Sequence, residues 1–162
     1  MSAKLVSKWT FGEGSGSIAI DSADSNNGTI SDATYTAPGK LNPYCLTFNG
    51  TNSSVVVSHT TNINFDTANS FSISAWFKTS NVDDRSIAEK WFNTTSTGHA
   101  YPFTIRYRPS SFDIAFSCFN LTDNPRVDSS VVSADGNWHH IVGVKNSTDL
   151  KIYLLQDFIK IQ

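Results

Sequence analysis

An all-β fold, an antiparallel sandwich or barrel of about ten short strands, is what this sequence predicts. Three observations point there. Apolar residues recur at every second position in the best-patterned runs, and hardly ever with the 3.6-residue period of a helix. Clusters of Gly, Asn, Asp and Ser separate those runs, as turns require. The composition is that of a packed domain: 162 residues, 39% hydrophobic, 12% aromatic and 16% charged. That charged share is well below the roughly 25% of an average soluble protein. Ser, Thr and Asn together fill about a third of the chain, so its surface is neutral and rich in hydroxyls and amides.

The strand expectations follow in chain order. Residues 5–11 form a first candidate, closed by the turn cluster Gly12–Glu13–Gly14–Ser15–Gly16. A second turn cluster covers residues 24–28, and strands at 44–48 and 54–57 flank the turn Asn49–Gly50–Thr51–Asn52. Residues 71–78 give the clearest alternation: Phe71, Ile73, Ala75 and Phe77 face one way, and Ser72, Ser74, Trp76 and Lys78 the other. A short strand at 86–91 comes next. In 102–108, Phe103, Ile105 and Tyr107 alternate with Thr104, Arg106 and Arg108, and in 112–119, Phe112, Ile114, Phe116 and Cys118 oppose Asp113, Ala115, Ser117 and Phe119. Further strands are expected at 126–132 and 150–155. Between them, after the turn Asp135–Gly136–Asn137, Trp138, His140, Val142 and Val144 share one face and His139, Ile141 and Gly143 the other. No repeat, linker or charge block divides the chain, which reads as one domain, 1–162.

Several function classes are disfavoured at once. The formal net charge is −2 and the pI about 6.0, which gives no basic field for a nucleic acid backbone. No apolar run approaches the roughly 20 residues of a membrane-spanning helix, so membrane insertion is not expected. Residues 1–6 lack the apolar stretch of a signal peptide. Cys45 and Cys118 belong to no C-x-x-C pair, which argues against structural zinc; they are either two buried thiols or one bridge.

The catalytic signals are weak. Residues 14–19 match the dinucleotide fingerprint in letters, but a loop composition follows where a helix must hold the pyrophosphate. Glycoside hydrolysis needs two carboxyl groups at a set separation. The only glutamates, Glu13 and Glu89, lie in a turn and in a short strand, and Asp83 and Asp84 are adjacent and so face opposite ways. Of the four histidines, His139 and His140 put one ring on each face of a strand; either one is core and one surface, or His139 meets a ligand on the face of Trp76 and Arg106. Asp21, Asp24, Asn26 and Asn27 crowd one loop with hard oxygen donors, which suits calcium or a metal-free Asx-rich turn.

Four segments in order carry a family resemblance. They are residues 5–16 with Asp21 and Asn26–Asn27–Gly28–Thr29; Gly39–Lys40 with Leu46–Thr47–Phe48–Asn49–Gly50; residues 71–78; and residues 135–143 with Leu150–Lys151–Ile152–Tyr153. In these the chain resembles a laminin G-like domain of the concanavalin A-like lectin/glucanase superfamily, in its bacterial and phage branch. The resemblance implies a two-sheet antiparallel jelly roll. It also implies a domain that is usually extracellular, binds carbohydrate or a cell-surface partner, is not itself catalytic, and often carries a calcium ion at the sandwich edge. Here the matching positions are Asp21, Asn26 and Asn27. Two departures stand out. The acidic terminal strand of the family is missing after residue 153, so the fold is expected to be C-terminally shortened, and Asn49 stands where the family often has Asp. The open strand edge this leaves, beside Phe158, Ile159 and Ile161, is expected to be covered in a homo-oligomer or by a partner strand.

The reading that results is a non-catalytic carbohydrate-binding or adhesion module. The expected ligand-binding residues are Trp76, Arg106, Arg108, Phe119 and His139 on a concave sheet face, with Trp91, His99 and Tyr101 in the adjoining loop. The alternative is a structural or assembly subunit that completes its sheet by oligomerising.

Overall fold

A computed structural model of the protein describes residues 4–65, 69–94, 98–109, 113–119, 124–129, 134–147 and 149–156, without the side chains of 91–94, 98–101 and 156. Among these residues the regular structure is twelve strands and one short 3-10 turn, Thr61–Ile63. The strands are β1 (Ile18–Ala19), β2 (Gly28–Ser31), β3 (Thr34–Thr36), β4 (Cys45–Thr47), β5 (Ser54–Val57), β6 (Phe71–Lys78), β7 (Arg85–Thr94), β8 (Gly98–Arg108), β9 (Asp113–Phe119), β10 (Arg126–Asp128), β11 (Trp138–Asn146) and β12 (Asp149–Gln156). The chain divides into two compact units, Met1–Asn64 and Phe65–Gln162.

The first unit is built from short antiparallel ladders, β1-β2-β5 and β3-β4. Ala19, Gly28, Ile30, Val55 and Val57 line one face of the three-stranded ladder, with Ala19 and Ile30 buried. Residues 5–11 do not form the strand their sequence suggests. Trp9 alone pairs with Asp21, because this segment is held by polar side chains rather than by a ladder. Glu13 ties the unit together: its Oε2 accepts from Tyr35 Oη at 3.0 Å and its Oε1 from Ile20 N at 3.0 Å. Burial, with the bond to Glu13, pushes the Tyr35 phenol up to about 12.

The second unit is a two-sheet antiparallel sandwich. One sheet has the order β10-β9-β8-β7 and the other β12-β11-β6. Ile105 and Tyr107 from β8, Ile114, Phe116 and Cys118 from β9, and Ile141 from β11 form the buried centre. Phe71, Ile73, Ala75 and Phe77 from β6 and Leu150, Ile152 and Leu154 from β12 pack against it. The period of two in the sequence is thus the inward-facing half of each pleated strand. Each large side chain buried at the centre contributes about 1.5–3 kcal/mol before the entropy of ordering it.

One close approach fixes how β11 sits. A Cβ on Gly143 would lie 2.8 Å from Phe116 Cδ2 and 2.9 Å from its Cγ. Only glycine lets the ring lie over the β11 backbone, so Gly143, and with it His139, Ile141 and Lys145, faces inward. Lys145 is 5% exposed, and its Nζ donates to the backbone carbonyls of Asn69 at 3.0 Å and Ser147 at 2.7 Å. This links the start of β6 to the β11–β12 turn. Cys45 and Cys118 are both free thiols, one in each unit, and burial pushes the Cys118 thiol up to about 11.

Candidate functional site

The outer face of the sheet β12-β11-β6 follows from its register. β6 and β11 pair Trp76 with His140 and Ser74 with Val142, while β11 and β12 pair His140 with Leu155 and Val142 with Tyr153. The Trp76 and His140 rings stack at 4.9 Å between centroids and 21° between planes. A cross-strand stack of this kind holds both rings in place and is worth about 0.5–1.5 kcal/mol. Beside them Tyr153 is 51% and Leu155 57% exposed. At the two ends of the face stand Lys78, opposite Trp138, and Lys151, opposite Val144. The result is an open strip of aromatic and apolar groups edged by hydroxyls and ammonium groups.

His139 is not part of this face, contrary to the expectation from its sequence. It is fully buried, its ring lies 5.7 Å from that of Phe77, and its Nε2 is 2.8 Å from Asp135 Oδ1. The Nε2–H tautomer donates to that carboxylate, while Nδ1 is buried with no partner among the described residues. The cause is the strand's pleat: with Gly143 turned inward under Phe116, every second residue from it also turns inward, and His140 takes the outer position.

Arg106 and Arg108 lie on β8, in the other sheet, so the expected grouping of Trp76 with these arginines is also corrected. Alternation distinguishes inward from outward but not which of two sheets a strand joins. Arg106 Nε donates to Asp84 Oδ1 at 3.0 Å, and its Nη1 lies 4.0 Å from Glu89 Oε2, which also accepts from Ser86 Oγ. Arg126 and Asp128 pair at 2.9 Å on β10. Arg108 stands opposite Asp113 in the ladder, and Phe119 ends β9 opposite Tyr101. The Arg106-bearing face of this sheet therefore sets Arg106, Arg108, Glu89, Arg126 and Asp128 around buried Thr104, Ala115 and Ser117, with Arg106 already engaged by carboxylates. Trp91, His99 and Tyr101 fall on β7 and β8, and their side chains lie outside the described residues.

The residues expected to hold calcium form a network of their own. Asp21 Oδ1 accepts from the N–H groups of Lys8 at 2.8 Å and Ala23 at 3.0 Å, and Oδ2 from Asn26 N at 3.2 Å. Asn27 Oδ1 accepts from Asp21 N at 2.9 Å, and Asn26 Oδ1 from Thr60 Oγ1 at 2.6 Å. Burial pushes the Asp21 carboxyl up, but the hydrogen bonds led by the Lys8 and Ala23 N–H groups outweigh it and hold it at about 2. Asp24, the second carboxylate of this loop, is likewise engaged: its Oδ1 accepts from Ser25 N at 2.9 Å and its Oδ2 from Asn62 Nδ2 at 3.0 Å. The side-chain oxygens of Asp21, Asp24, Asn26 and Asn27 are thus all turned to donors of the chain itself. Among the described residues no group of three His, Cys, Asp or Glu side chains is placed to hold a metal.

Sequence reasoning found Trp76 but missed His140, Tyr153, Leu155, Lys78 and Lys151 as its companions. The signal was present: the alternating runs at 138–144 and 150–155 are separated by a short turn, and pairing them as a hairpin sets His140 beside Leu155.

No curated protein and no solved structure matches the chain. A family model does. It covers residues 49–154, about two thirds of the chain, including all of β6 through β11 and most of β12. With its antiparallel strands and two-sheet sandwich, the chain belongs to the laminin G-like family Laminin_G_3 of the concanavalin A-like lectin/glucanases superfamily.

Proposed function

We propose that this chain is a non-catalytic carbohydrate-binding or adhesion module that takes a glycan on the outer face of β12-β11-β6. The observation that carries the reading is the stacked Trp76–His140 pair beside exposed Tyr153. A pyranose has an apolar ring face that lies against such aromatics, while hydroxyls, amides and ammonium groups around them take its polar edge. A non-catalytic role is favoured by the state of the glutamates: Glu13 serves Tyr35 and Ile20 in the first unit, and Glu89 serves Ser86 and Arg106 in the second. The test is a glycan array followed by calorimetry, with calcium and with chelator. Binding that disappears in Trp76→Ala and His140→Ala, with the fold intact by circular dichroism, is the expected result. A folded protein that binds no glycan under either condition refutes the reading.

One observation favours an assembly role as a second reading. Among the described residues β12 ends its sheet, bonded to β11 on one side, and it carries exposed Tyr153 and Leu155. A strand edge of this kind suits pairing with a second copy or a partner strand. Light scattering that gives a stable oligomer, dissociated by Leu155→Lys, supports this reading; a strict monomer up to high concentration removes it.

A further inference from the structure

We infer that the glycan taken by this face is an acidic one, a chain of sugars bearing carboxylates. This rests on the reading of the β12-β11-β6 face as a glycan site and adds the chemical class of its ligand.

The argument begins with where unneutralised cations lie. On the four-stranded sheet, Arg106 is engaged by Asp84 and Glu89 and Arg126 by Asp128, and Arg108 stands opposite Asp113 without an ion pair among the described residues; Arg85, at the start of β7, is engaged by Asp83. Lys78 and Lys151 are exposed, and neither pairs with a carboxylate among the described residues. Both stand on the face that carries Trp76, His140 and Tyr153. The one carboxylate side chain on the described part of that face is Asp149, opposite Asn146 and next to Lys151 on β12, which leaves the face one positive charge in excess. The aromatic strip therefore sits in a positive local field in a protein whose net charge is −2.

Spacing then sets the size of the ligand. Lys78 is opposite Trp138 and Lys151 opposite Val144, six residues further along β11. At the rise of a strand that is about 20 Å, with two strand spacings of about 5 Å each between them. One sugar ring cannot span this distance, whereas an oligosaccharide laid diagonally across the sheet meets both ammonium groups and crosses Trp76 and Tyr153 between them. The nature of the anion follows from the stack. A carboxylate at C5 extends from the edge of a pyranose and leaves its apolar face free for the Trp76 indole, so a uronate can stack and pair at once. A lysine ammonium is a compact point charge that meets such an edge carboxylate without a fixed fork geometry.

Polygalacturonate and its methyl ester share a backbone and differ in charge, which makes them suitable probes for calorimetry and affinity electrophoresis on the full chain. Dextran and dextran sulfate serve as the second pair. Polygalacturonate is expected to bind about tenfold more tightly than the ester, and to weaken between about 0.05 and about 0.3 M salt. The double variant Lys78→Ala/Lys151→Ala is expected to lose about tenfold for polygalacturonate and nothing for the ester. Trp76→Ala is expected to weaken both. The lysines are exposed, and an unchanged thermal melt verifies that the variants fold. Equal affinity for polygalacturonate and ester overturns the acidic class while leaving a glycan module standing. Polygalacturonate binding that the lysine and Trp76 variants do not alter overturns the face. Dextran sulfate bound in place of polygalacturonate overturns the carboxylate. Binding to none of the four on a broad array overturns this inference together with the reading beneath it.

Discussion

Gly143→Ala asks directly which way β11 faces. The added Cβ would lie 2.8, 2.9 and 3.0 Å from Phe116 Cδ2, Cγ and Cε2. Carbon atoms in ordinary contact are about 3.5–4.0 Å apart, so the ring must retreat by roughly 0.5–1 Å. It has little room, because Phe116 is fully buried and Phe71 meets it edge-on at 6.4 Å. Overpacking of this kind costs about 1–3 kcal/mol. The lower entropy of the unfolded alanine chain offsets about 0.4–1 kcal/mol of that. A net loss of about 1–2 kcal/mol is expected, read as a lower midpoint in urea with an unchanged slope. Phe116→Leu, which trims the offending ring, makes the control. In the double variant the two costs are expected to fall short of their sum by about 1 kcal/mol, since the clash has gone. A neutral or stabilising Gly143→Ala, or strictly additive costs, refutes the packing. It would also turn His140 into the core and dissolve the Trp76–His140 strip.

Three further outcomes follow from the same geometry. Asp21→Asn is expected to flatten the acid limb of stability: the folded carboxyl sits near 2 against an ordinary 3.8, so its contribution is full above about pH 4 and lost as pH falls through about 2. That contribution is about 1–2 kcal/mol after allowance for solvent screening, and an acid limb identical in the variant and the parent contradicts it. Asp135 is held well below the usual carboxylate range, first by its hydrogen bond with His139 and then by the Asn137 N–H. Its contribution is likewise full above the ordinary carboxylate range and shrinks as pH falls below it, so Asp135→Asn is expected to lower the melting temperature at pH 7 and to lower it progressively less toward acid; a penalty that grows toward acid refutes the pairing. Trp76→Ala is expected to cost about 0.5–1.5 kcal/mol for the stack plus up to about 3 kcal/mol for the apolar burial of a half-buried indole, read in urea unfolding, and to leave a folded protein that has lost the proposed glycan binding; a collapse of the fold would place the indole in the core instead.

The strands of the second unit were legible because their alternation is strong. Residues 71–78 match their strand end to end, and 138–144 and 150–155 fall within theirs. The first unit was less so. β1, β2 and β3 are two to four residues long, too short for any period to register, and Asp21, Asn26 and Asn27 organise their surroundings through side-chain bonds that no pattern announces. The candidate site was half legible. Alternation separates His139 from His140 but does not say which goes inward, because Trp138, Val142 and Val144 on one side are as apolar as Ile141 and Gly143 on the other. A missing side chain at position 143 decides it, through a ring 27 residues away in sequence. Nor does periodicity reveal that the strand bearing Trp76 and the one bearing Arg106 join different sheets.

The sheltered ammonium group of Lys145 has a practical consequence. Reagents that acylate amines will reach Lys78 and Lys151 freely and Lys145 last, since it is enclosed between two carbonyl oxygens. Protein coupled to beads or dyes through its amines would therefore arrive with the lysines beside the Trp76–His140 strip already modified and its interior intact. Such material would look well folded and inert, and attachment through a terminal tag is the chemistry that leaves the question open to experiment.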